Sequence, residues 1–350
     1  MKALFLCAGK GTRMRPISYS VPKHLIPVGN KPVLQRNVEM VLRAGINDIG
    51  MVVSPSTKDL YREYLGKKKW GADFHYIEQN DPKGLAHAVQ CGRDFVGEEP
   101  FLVYLGDNLL GLELNRMINE YRGSSTDASI LLKSVSNPER FGVAKVEEDN
   151  VTGLVEKPED PPSNLAIVGV YLLNSKIFDA IEEIDFSARG ELEITDAIQR
   201  LIDWDYRVRF SSFDGWWVDV GRPGDAIKAN KVLIQEMSAR ADRAVKENTS
   251  LKNPESVIIS EKAELENCEL VGPTVIGDSV ISDSKIGPNV SIGDNCNIED
   301  SRISDTIVMK GVKLSGGGVT KSLIGEEVEL NLPSGDFKIR IGNQGTIRLR

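Results

Sequence analysis

The chain has 350 residues, of which 41% are hydrophobic, and a formal net charge of −8 at pH 7. That length suits two domains, while the acidic balance argues against nucleic-acid binding as a main role, because no basic surplus is present to neutralise a phosphate backbone. No apolar run approaches 18 residues and the start does not resemble a signal peptide, so we expect no membrane partner and a cytoplasmic location. The cysteines are scattered and form no CxxC pair, which argues against a disulfide framework or structural zinc; they are Cys7, Cys91, Cys268 and Cys296.

A short apolar strand at residues 3–6 runs into a loop that contains two glycines. Glycine lets the backbone approach phosphate oxygens and turn its N–H groups toward them. Arg13, Arg15 and Lys23 add positive charge around this loop, as a polyphosphate substrate requires. The candidate nucleotide-contacting residues at the strand end and in the loop are Leu6, Ala8, Gly9, Gly11 and Thr12.

Two common phosphate-binding motifs do not fit this loop. A P-loop would need a glycine at Leu4, and a dinucleotide fingerprint would need a third glycine at Met14. A plain strand-to-helix turn is the remaining alternative, but it does not explain why Arg13, Lys23 and Pro27 follow at these spacings.

Between residues 1 and 217, short β-rich runs alternate with segments of helical spacing. The alternation predicts an α/β fold, a Rossmann-like three-layer domain with a mostly parallel sheet. The predicted strands are 2–6, 48–53, 73–76, 101–105, 128–134 and 166–173. The predicted helices are 32–44, 57–65, 84–91 and 193–204, with a connecting helix at 224–245.

Two aspartates follow apolar runs directly. Asp107 comes after strand 101–105 and a glycine, and Asp219 comes after two tryptophans and a valine. Ligands of α/β sheets bind beyond the carboxyl ends of the strands, and Mg²⁺ typically takes one or two carboxylates together with substrate phosphates. At each position a cap or turn anchor is the alternative.

Beyond Ser256 an aliphatic residue followed by small turn formers recurs every five or six residues, as from Ile276 to Ile303. One aliphatic residue per repeat predicts a β-solenoid with stacked aliphatics inside each coil. A β-sandwich is the alternative, but its strands would not recur this often. We expect this part to be a scaffold or assembly surface rather than a second active site.

The loop and several later motifs resemble the sugar-1-phosphate nucleotidyltransferases. Residues 6–32 are similar to the family signature, Leu-x-Ala/Gly-Gly-x-Gly-Thr-Arg-Leu-x-Pro and then Pro-Lys-x-Leu-Leu-Pro-Val-x-x-Lys-Pro. The ordered set is most similar to the long form of the glucose-1-phosphate thymidylyltransferases, which carries a C-terminal left-handed parallel β-helix. Departures from the pattern are small, at Cys7, Ala8 and Val220. Further motifs follow in family order at 79–88, 105–108, 140–143, 156–158, 189–196 and 217–221.

This resemblance implies the domain organisation. A nucleotidyltransferase catalytic domain would occupy residues 1–236, a helical connector 237–255 and the left-handed β-helix 256–350.

The resemblance also implies roles for the charged candidates. Asp107 and Asp219 would hold Mg²⁺, while Arg13 and Lys23 would steady the triphosphate and its developing charge. Together with Lys157, these are the predicted catalytic residues.

The remaining candidates would contact the base and the sugar phosphate. Gln79 can offer a donor and an acceptor to a pyrimidine edge, and Gly84 would leave room for the base. The three histidines, His24, His75 and His87, are expected to have packing or surface roles. Four residues are predicted to bind the sugar phosphate: Gly142, Glu156, Lys157 and Arg189.

The implied activity is Mg²⁺-dependent, in-line transfer of a thymidylyl group from dTTP to α-D-glucose 1-phosphate, giving dTDP-glucose and diphosphate. The alternatives are a UTP-using uridylyltransferase and a catalytically inactive regulatory subunit. A second, acetyltransferase activity in the β-helix is not expected, because relatives with that activity use a histidine there and no histidine follows His87. The expected partners are these small molecules and further copies of the chain in a homo-oligomer.

Overall fold

The computed structural model describes residues 1–237 and 249–349. Most of the predicted connector at 237–255, and the end of the predicted helix 224–245, lie outside the described residues. The chain divides into two compact units, one comprising Met1–Lys10 and Asn37–Trp217, the other Gly11–Arg36 and Val218–Arg350. Among the described residues, no helix has the length and apolar character needed to cross a bilayer. The domain boundaries stay a prediction.

Strands and helices alternate through the first two thirds of the chain. The strands are β1 (Lys2–Leu6), β2 (Pro27–Val28), β3 (Lys31–Pro32), β4 (Asp48–Val53), β5 (Asp73–Glu78), β6 (Phe101–Leu105), β7 (Asn108–Leu110), β8 (Ala128–Ser134), β9 (Gly142–Glu147), β10 (Asn150–Glu156), β11 (Leu165–Leu173), β12 (Val208–Ser212) and β13 (Trp217–Asp219). The helices are α1 (Val33–Arg43), α2 (Lys58–Gly66), α3 (Leu85–Cys91), α4 (Arg93–Val96), α5 (Asn115–Arg122), α6 (Lys176–Glu182), α7 (Ile194–Asp203) and α8 (Pro223–Glu236).

The first unit is built on a sheet in the order β5-β4-β1-β6-β11-β8-β12-β10-β9. Its central strands are almost continuous apolar runs, as expected for strands that are covered on both faces. Leu6 lies beside both Val52 and Leu105, so β1, β4 and β6 end at one edge of the sheet. The predicted α/β fold is confirmed, and every predicted strand in this unit is present within two residues of its predicted ends.

The expectation of a mostly parallel sheet is wrong, because in the second half of the sheet only the pair of β8 and β12 is parallel. The pairs from β5 to β6 are parallel, but β11 runs antiparallel to β6 and to β8, and β9 and β10 form an antiparallel hairpin. A turn of two residues joins β9 to β10, and a parallel pair cannot be closed by so short a connection. Glu148 in this turn has a φ of 52°, as tight hairpin turns require.

The second unit contains a β-helix with three parallel sheets. One sheet is formed by β14 (Ser250–Lys252), β17 (Glu269–Val271), β20 (Lys285–Ile286), β23 (Arg302–Ser304), β26 (Gly318–Thr320) and β29 (Asp336–Phe337). The second sheet is formed by β15 (Val257–Ile259), β18 (Thr274–Ile276), β21 (Val290–Ile292), β24 (Ile307–Val308), β27 (Leu323–Ile324) and β30 (Arg340–Ile341). The third is formed by β16 (Glu264–Glu266), β19 (Val280–Ser282), β22 (Asn297–Glu299), β25 (Lys313–Ser315), β28 (Glu329–Asn331) and β31 (Thr346–Arg348).

The repeat of five or six residues follows from this geometry. Ile281 pairs with Ile298, and Ile298 pairs with Leu314, so one aliphatic side chain from each coil enters the stack. Neighbouring coils are joined between residues 16 or 17 apart, so three sequence repeats complete one coil. Corner residues such as Asp283 and Asp300 have φ values of 48° and 47°, which explains the small turn formers. The arrangement is consistent with the predicted left-handed β-helix.

A pair of neighbouring residues in β19 tests how far this stack holds the β-helix together. Ile281 is fully buried, whereas Val280 is 48% exposed. We expect Ile281→Ala to lower the free energy of unfolding of the β-helix by about 2 to 5 kcal/mol, because it leaves a cavity in the stack. Val280→Ala is the control and should change it by about 0.5 kcal/mol or less. Urea denaturation measures both, and equal effects would contradict the aliphatic-stack interpretation.

Candidate active site

One group of candidate site residues lies where β1 and β6 end. The N–H of Gly106 donates to the carbonyl oxygen of Leu6 at 3.1 Å, and the N–H of Cys7 donates to that of Val52 at 2.7 Å. These bonds continue the parallel pairing one residue beyond the strands. Ala8 is therefore buried and Gly9 is exposed at the start of the glycine-bearing loop, on the same sheet edge as the Gly106 turn.

Asp107 is held by a chain of hydrogen bonds. The Nδ2 of Asn108 donates to the Oδ1 of Asp107 at 2.9 Å, and the indole N–H of Trp217 donates to the Oδ1 of Asn108 at 2.6 Å. The hydroxyl of Tyr104 donates to the carbonyl oxygen of Asn108 at 3.2 Å, and the Nδ2 of Asn37 donates to that of Gly106 at 3.0 Å. Within residues 105–108 the sequence predicts a role for Asp107 alone. The structure shows that hydrogen bonds from Asn108, Trp217, Tyr104 and Asn37 support this turn.

The negative charge of Asp107 also affects the pKa values of two nearby tyrosines, Tyr104 and Tyr61. Burial raises the pKa of Tyr104, and the negative charge of Asp107 raises it further. Burial likewise raises the pKa of Tyr61, and Cys7 and Asp107 add smaller effects in the same direction. Both phenols therefore stay protonated near neutral pH, and Tyr104 remains a hydrogen-bond donor to the Asp107 turn.

Gln79 follows β5 and lies in a buried hydrogen-bond network. It is 4% exposed, and its Nε2 lies 3.2 Å from the carbonyl oxygen of Gly84 and 2.9 Å from the Nδ1 of His87. The sequence predicts that this amide offers both a donor and an acceptor to a base. In the structure its N–H donor group is directed at these two protein groups. His87 is thus neither a simple surface residue nor a plain packing residue.

Gly84 is needed for a close backbone approach. Its φ is 116°, and a Cβ there would lie 2.4 Å from the carbonyl oxygen of Leu192. The N–H of Leu192 donates to the carbonyl oxygen of Lys83 at 2.7 Å, and the N–H of Ala86 donates to that of Leu192 at 3.0 Å. The start of α3 and the residues before α7 are therefore tied together with no space for a side chain.

Glu156 and Gly142 form the core of the predicted sugar-phosphate site. They are paired residues at the ends of β10 and β9. The hydroxyl of Thr195 donates to the Oε2 of Glu156 at 2.8 Å. A Cβ on Gly142 would lie 3.0 Å from this Oε2 and 3.1 Å from the Oγ1 of Thr195, so a larger residue would crowd the carboxylate.

Two positively charged side chains contact Oε1, the other carboxylate oxygen of Glu156. The Nη1 of Arg189 lies 3.0 Å from its Oε1, and the Nζ of Lys157 lies 2.9 Å from the same atom. Arg189 also contacts Glu193 at 3.2 Å, and Glu193 accepts a hydrogen bond from Ser187. All four residues that the sequence predicts for the sugar phosphate therefore lie in one cluster. Glu193 and Thr195 belong to the motif at 189–196, and that motif was the signal by which they could have been found.

The cluster has unusual electrostatics and backbone geometry. Burial raises the pKa of the Glu193 carboxyl and that of Asp196, and in both cases the charge of Glu156 raises it further. Lys157 has a φ of 43°, although a lysine rarely adopts this left-handed conformation, and its N–H donates to the carbonyl oxygen of Phe141 at 3.1 Å. Strained residues of this kind concentrate at functional sites.

The second unit carries the rest of the glycine-bearing loop. Gly11 has a φ of 60°, and its carbonyl oxygen accepts from the hydroxyl of Ser18 at 2.7 Å and from the N–H of Met14 at 2.9 Å. Thr12 then begins a 3₁₀ turn, Thr12–Met14. A Cβ on Gly11 would lie 3.6 Å from that of Lys23, so the backbone of Lys23 is close to this turn.

The side chains of Arg13 and Asp219 both lie close to Gly221 in the same unit. A Cβ on Gly221 would lie 3.2 Å from the Nη2 of Arg13 and 3.5 Å from the Oδ1 of Asp219. The glycine therefore leaves space that the two side chains share. Among the described residues, no group of three or more histidine, cysteine, aspartate or glutamate side chains has an arrangement able to hold a metal ion. A magnesium site built on two carboxylates and substrate oxygens does not need such a group of three side chains.

A fully buried asparagine connects this loop segment to the β-helix. The Oδ1 of Asn230, on α8, accepts from the N–H of Gly29 at 2.7 Å and from the hydroxyl of Ser291 at 2.8 Å. Its Nδ2 donates to the carbonyl oxygen of Asn289 at 3.3 Å. The coil that contains β21 therefore supports the residues that follow Lys23.

Comparisons with known proteins show the family to which the chain belongs. Residues 2–236 match the nucleotidyl transferase family model. The chain is 40% identical over 333 residues to a glucose-1-phosphate thymidylyltransferase of Streptomyces griseus, covering 94% of this chain and 93% of the relative. It is 37% identical over 360 residues, and over the full length of both chains, to the low-salt glycan biosynthesis nucleotidyltransferase Agl11 of Haloferax volcanii. A crystal structure of a UDP-glucose pyrophosphorylase complexed with UDP-glucose has a TM-score of 0.61 and 30% identity, over 67% of this chain and 99% of the other.

The fold, the glycine-bearing loop and these matches define the class as a sugar-1-phosphate nucleotidyltransferase. The chain belongs to the nucleotidyl transferase family, and the resemblance to sugar-1-phosphate nucleotidyltransferases is confirmed.

Asn230 offers a test of the link between loop and β-helix. We expect Asn230→Leu to lower the free energy of unfolding by about 1 to 3 kcal/mol, because the buried N–H of Gly29 loses its acceptor. Lys231→Ala, at the exposed neighbouring position, is the control and should change it by about 0.5 kcal/mol or less. Thermal and urea unfolding measure both variants. An Asn230→Leu protein as stable as the control would show that the link contributes nothing.

Proposed function

We propose that the protein is a glucose-1-phosphate thymidylyltransferase, which converts dTTP and α-D-glucose 1-phosphate to dTDP-glucose and diphosphate. The observation that carries the proposal is the cluster of Gly142, Glu156, Lys157 and Arg189. In it Lys157 and Arg189 both contact the carboxylate of Glu156, and Gly142 lies beside that carboxylate. Such a cluster suits a ligand with both hydroxyl groups and a phosphate. The similarity to the Streptomyces griseus thymidylyltransferase extends through the β-helix and supports the same substrates.

The glycine-bearing loop would bind the triphosphate. Backbone N–H groups in the loop suit phosphate oxygens, with Leu6 and Ala8 placing its start at the sheet edge and Gly9, Gly11 and Thr12 forming its turn. Arg13 and Lys23 would offset the charge that develops on the departing diphosphate.

The sugar phosphate would be both ligand and nucleophile. Its phosphate is already ionised at pH 7, so the attacking oxygen needs no general base, and the enzyme must supply in-line alignment and charge neutralisation at the α-phosphorus. The Oε1 of Glu156 contacts both Lys157 and Arg189. We propose that the phosphate takes over these two cations, which leaves Glu156 able to accept hydrogen bonds from sugar hydroxyls.

Asp107 and Asp219 would hold Mg²⁺. The hydrogen-bond chain through Asn108 fixes the carboxylate of Asp107, and Asp219 lies next to the space that Gly221 leaves open. When bound, the ion would neutralise charge on phosphate oxygens. Carboxylate oxygens are the ligands that Mg²⁺ prefers, so the two side chains fit the group.

UTP is the second candidate nucleotide. The similarity to a UDP-glucose pyrophosphorylase favours it, and thymine and uracil present the same ring N–H and carbonyl groups. An inactive regulatory subunit is less well supported, because Arg13, Lys157 and Asp219 are all present. The expected cytoplasmic location and homo-oligomeric state stay predictions.

The choice of nucleotide can be measured directly. We expect dTTP with glucose 1-phosphate to give the highest kcat/KM and UTP a lower value, because the Gln79 and Gly84 region suits a pyrimidine. A coupled diphosphate-release assay with dTTP, UTP, CTP, ATP and GTP, and with several sugar 1-phosphates, tests this. A preference for UTP would select the second candidate, and a preference for ATP or GTP would contradict the assignment of the base site.

The metal pair can be tested by removing one charge. We expect Asp107→Asn to keep its fold and to lose on the order of a hundredfold or more in kcat, since a neutral amide cannot replace the carboxylate charge. The Mg²⁺ concentration that gives half-maximal rate should rise in parallel. Asp185→Asn, at an exposed position, is the control. A folded Asp107→Asn enzyme with normal turnover and unchanged Mg²⁺ dependence would restore the turn-anchor interpretation.

A further inference from the structure

The side-chain amide of Gln79 can adopt only one orientation in its network. The carbonyl oxygen of Gly84, 3.2 Å from Nε2, can accept but not donate, so the amide nitrogen and not the amide oxygen must face it. The same nitrogen lies 2.9 Å from the Nδ1 of His87. Both amide hydrogens are therefore engaged, one by the carbonyl and one by the imidazole.

This orientation determines the state of His87. An Nδ1 that receives a hydrogen bond carries no proton, so the ring is neutral and its hydrogen is on Nε2, which faces the Sγ of Cys91 at 4.0 Å. Burial lowers the pKa of His87, and the nearby charge of Lys83 lowers it further, which outweighs the opposite effect of Asp81. The neutral ring is thus the favoured form at neutral pH.

The neighbouring backbone fixes the relative positions of Gly84 and His87. Gly84 is confined by the backbone of Leu192, and the N–H of Ala86 bonds to the same residue in the first turn of α3. His87 is one residue further along this helix. The carbonyl and the imidazole that hold the amide therefore belong to one short, anchored segment.

We propose that His87 is a positioning residue that makes Gln79 an acceptor-only contact for the nucleobase, and that it thereby sets selectivity for a base with a ring N–H. With the nitrogen engaged, Oε1 is the atom of this amide left for the base. Thymine and uracil carry a hydrogen on N3, which this oxygen can accept, whereas N3 of cytosine is itself an acceptor and would face it with a lone pair. The inference rests on the proposed function, because it assigns Gln79 to the base site.

His87→Leu removes the acceptor, and His87→Asn restores one, because its Oδ1 can replace Nδ1. We expect His87→Leu to lower the ratio of kcat/KM for dTTP to that for dCTP by about tenfold or more, the scale of one hydrogen bond of about 1.4 kcal/mol. The KM for dTTP should rise while the KM for glucose 1-phosphate stays the same, and His87→Asn should recover most of the ratio. His75→Asn is the control, since His75 is on β5 but pairs with Asp48 outside this network.

A double-mutant cycle separates positioning from general packing. If His87 acts through Gln79, then His87→Leu should not change the ratio further in a Gln79→Leu background. An unchanged ratio in a folded His87→Leu enzyme, or an equal loss with dTTP and dCTP, would overturn the inference.

Binding of dTTP and dCTP, measured by calorimetry without sugar phosphate, tests the inference apart from the reaction. Wild-type protein that binds dTTP better than dCTP but forms no dTDP-glucose would contradict the proposed function alone. A His87→Leu protein with the wild-type binding ratio would contradict the inference alone.

Discussion

The backbone contact between Gly84 and Leu192 is the constraint on which the candidate site residues of the first unit depend. Two hydrogen bonds join Leu192 to Lys83 and Ala86 around the start of α3, at a distance that excludes even a methyl group on Gly84. The contact fixes Gly84 and His87, which hold Gln79, on one side. On the other side it fixes the segment that carries Arg189 and Glu193. The base-binding and sugar-binding candidates are therefore positioned by a single junction.

Buried amide side chains also fix the positions of candidate site residues elsewhere in each unit. Asn108 supports Asp107, Gln79 bonds to the carbonyl of Gly84, and Asn230 joins the loop after Lys23 to the β-helix. A buried amide is expensive to leave unsatisfied, so each of these side chains has effectively one orientation. Such networks specify geometry more strictly than apolar packing does, because a hydrogen bond depends on direction as well as distance.

Much of the fold could be predicted because apolar periodicity is a local property. The central strands, such as β1, β4 and β6, are short apolar runs bounded by polar or glycine residues, and each begins and ends where the pattern does. The hairpin of β9 and β10 was not predicted, because its strands are not continuous apolar runs and a register shift at Gly153 interrupts the alternation in β10. The mixed direction of the sheet was not predicted either, since strand direction depends on which distant strands become neighbours.

The sequence by itself determined the α/β fold, the β-helix repeat and the identity of the candidate residues, because spacing and residue type carry that information along the chain. Tertiary structure alone decided that Arg189 and Lys157 share one carboxylate, that Gly84 is confined by Leu192 and that the amide of Gln79 is held by His87. Each of these contacts joins groups whose directions are set by separate backbone segments or by competing hydrogen-bond partners. No local pattern encodes which partner a polar group will find, because that choice is made only when the whole network must be satisfied together.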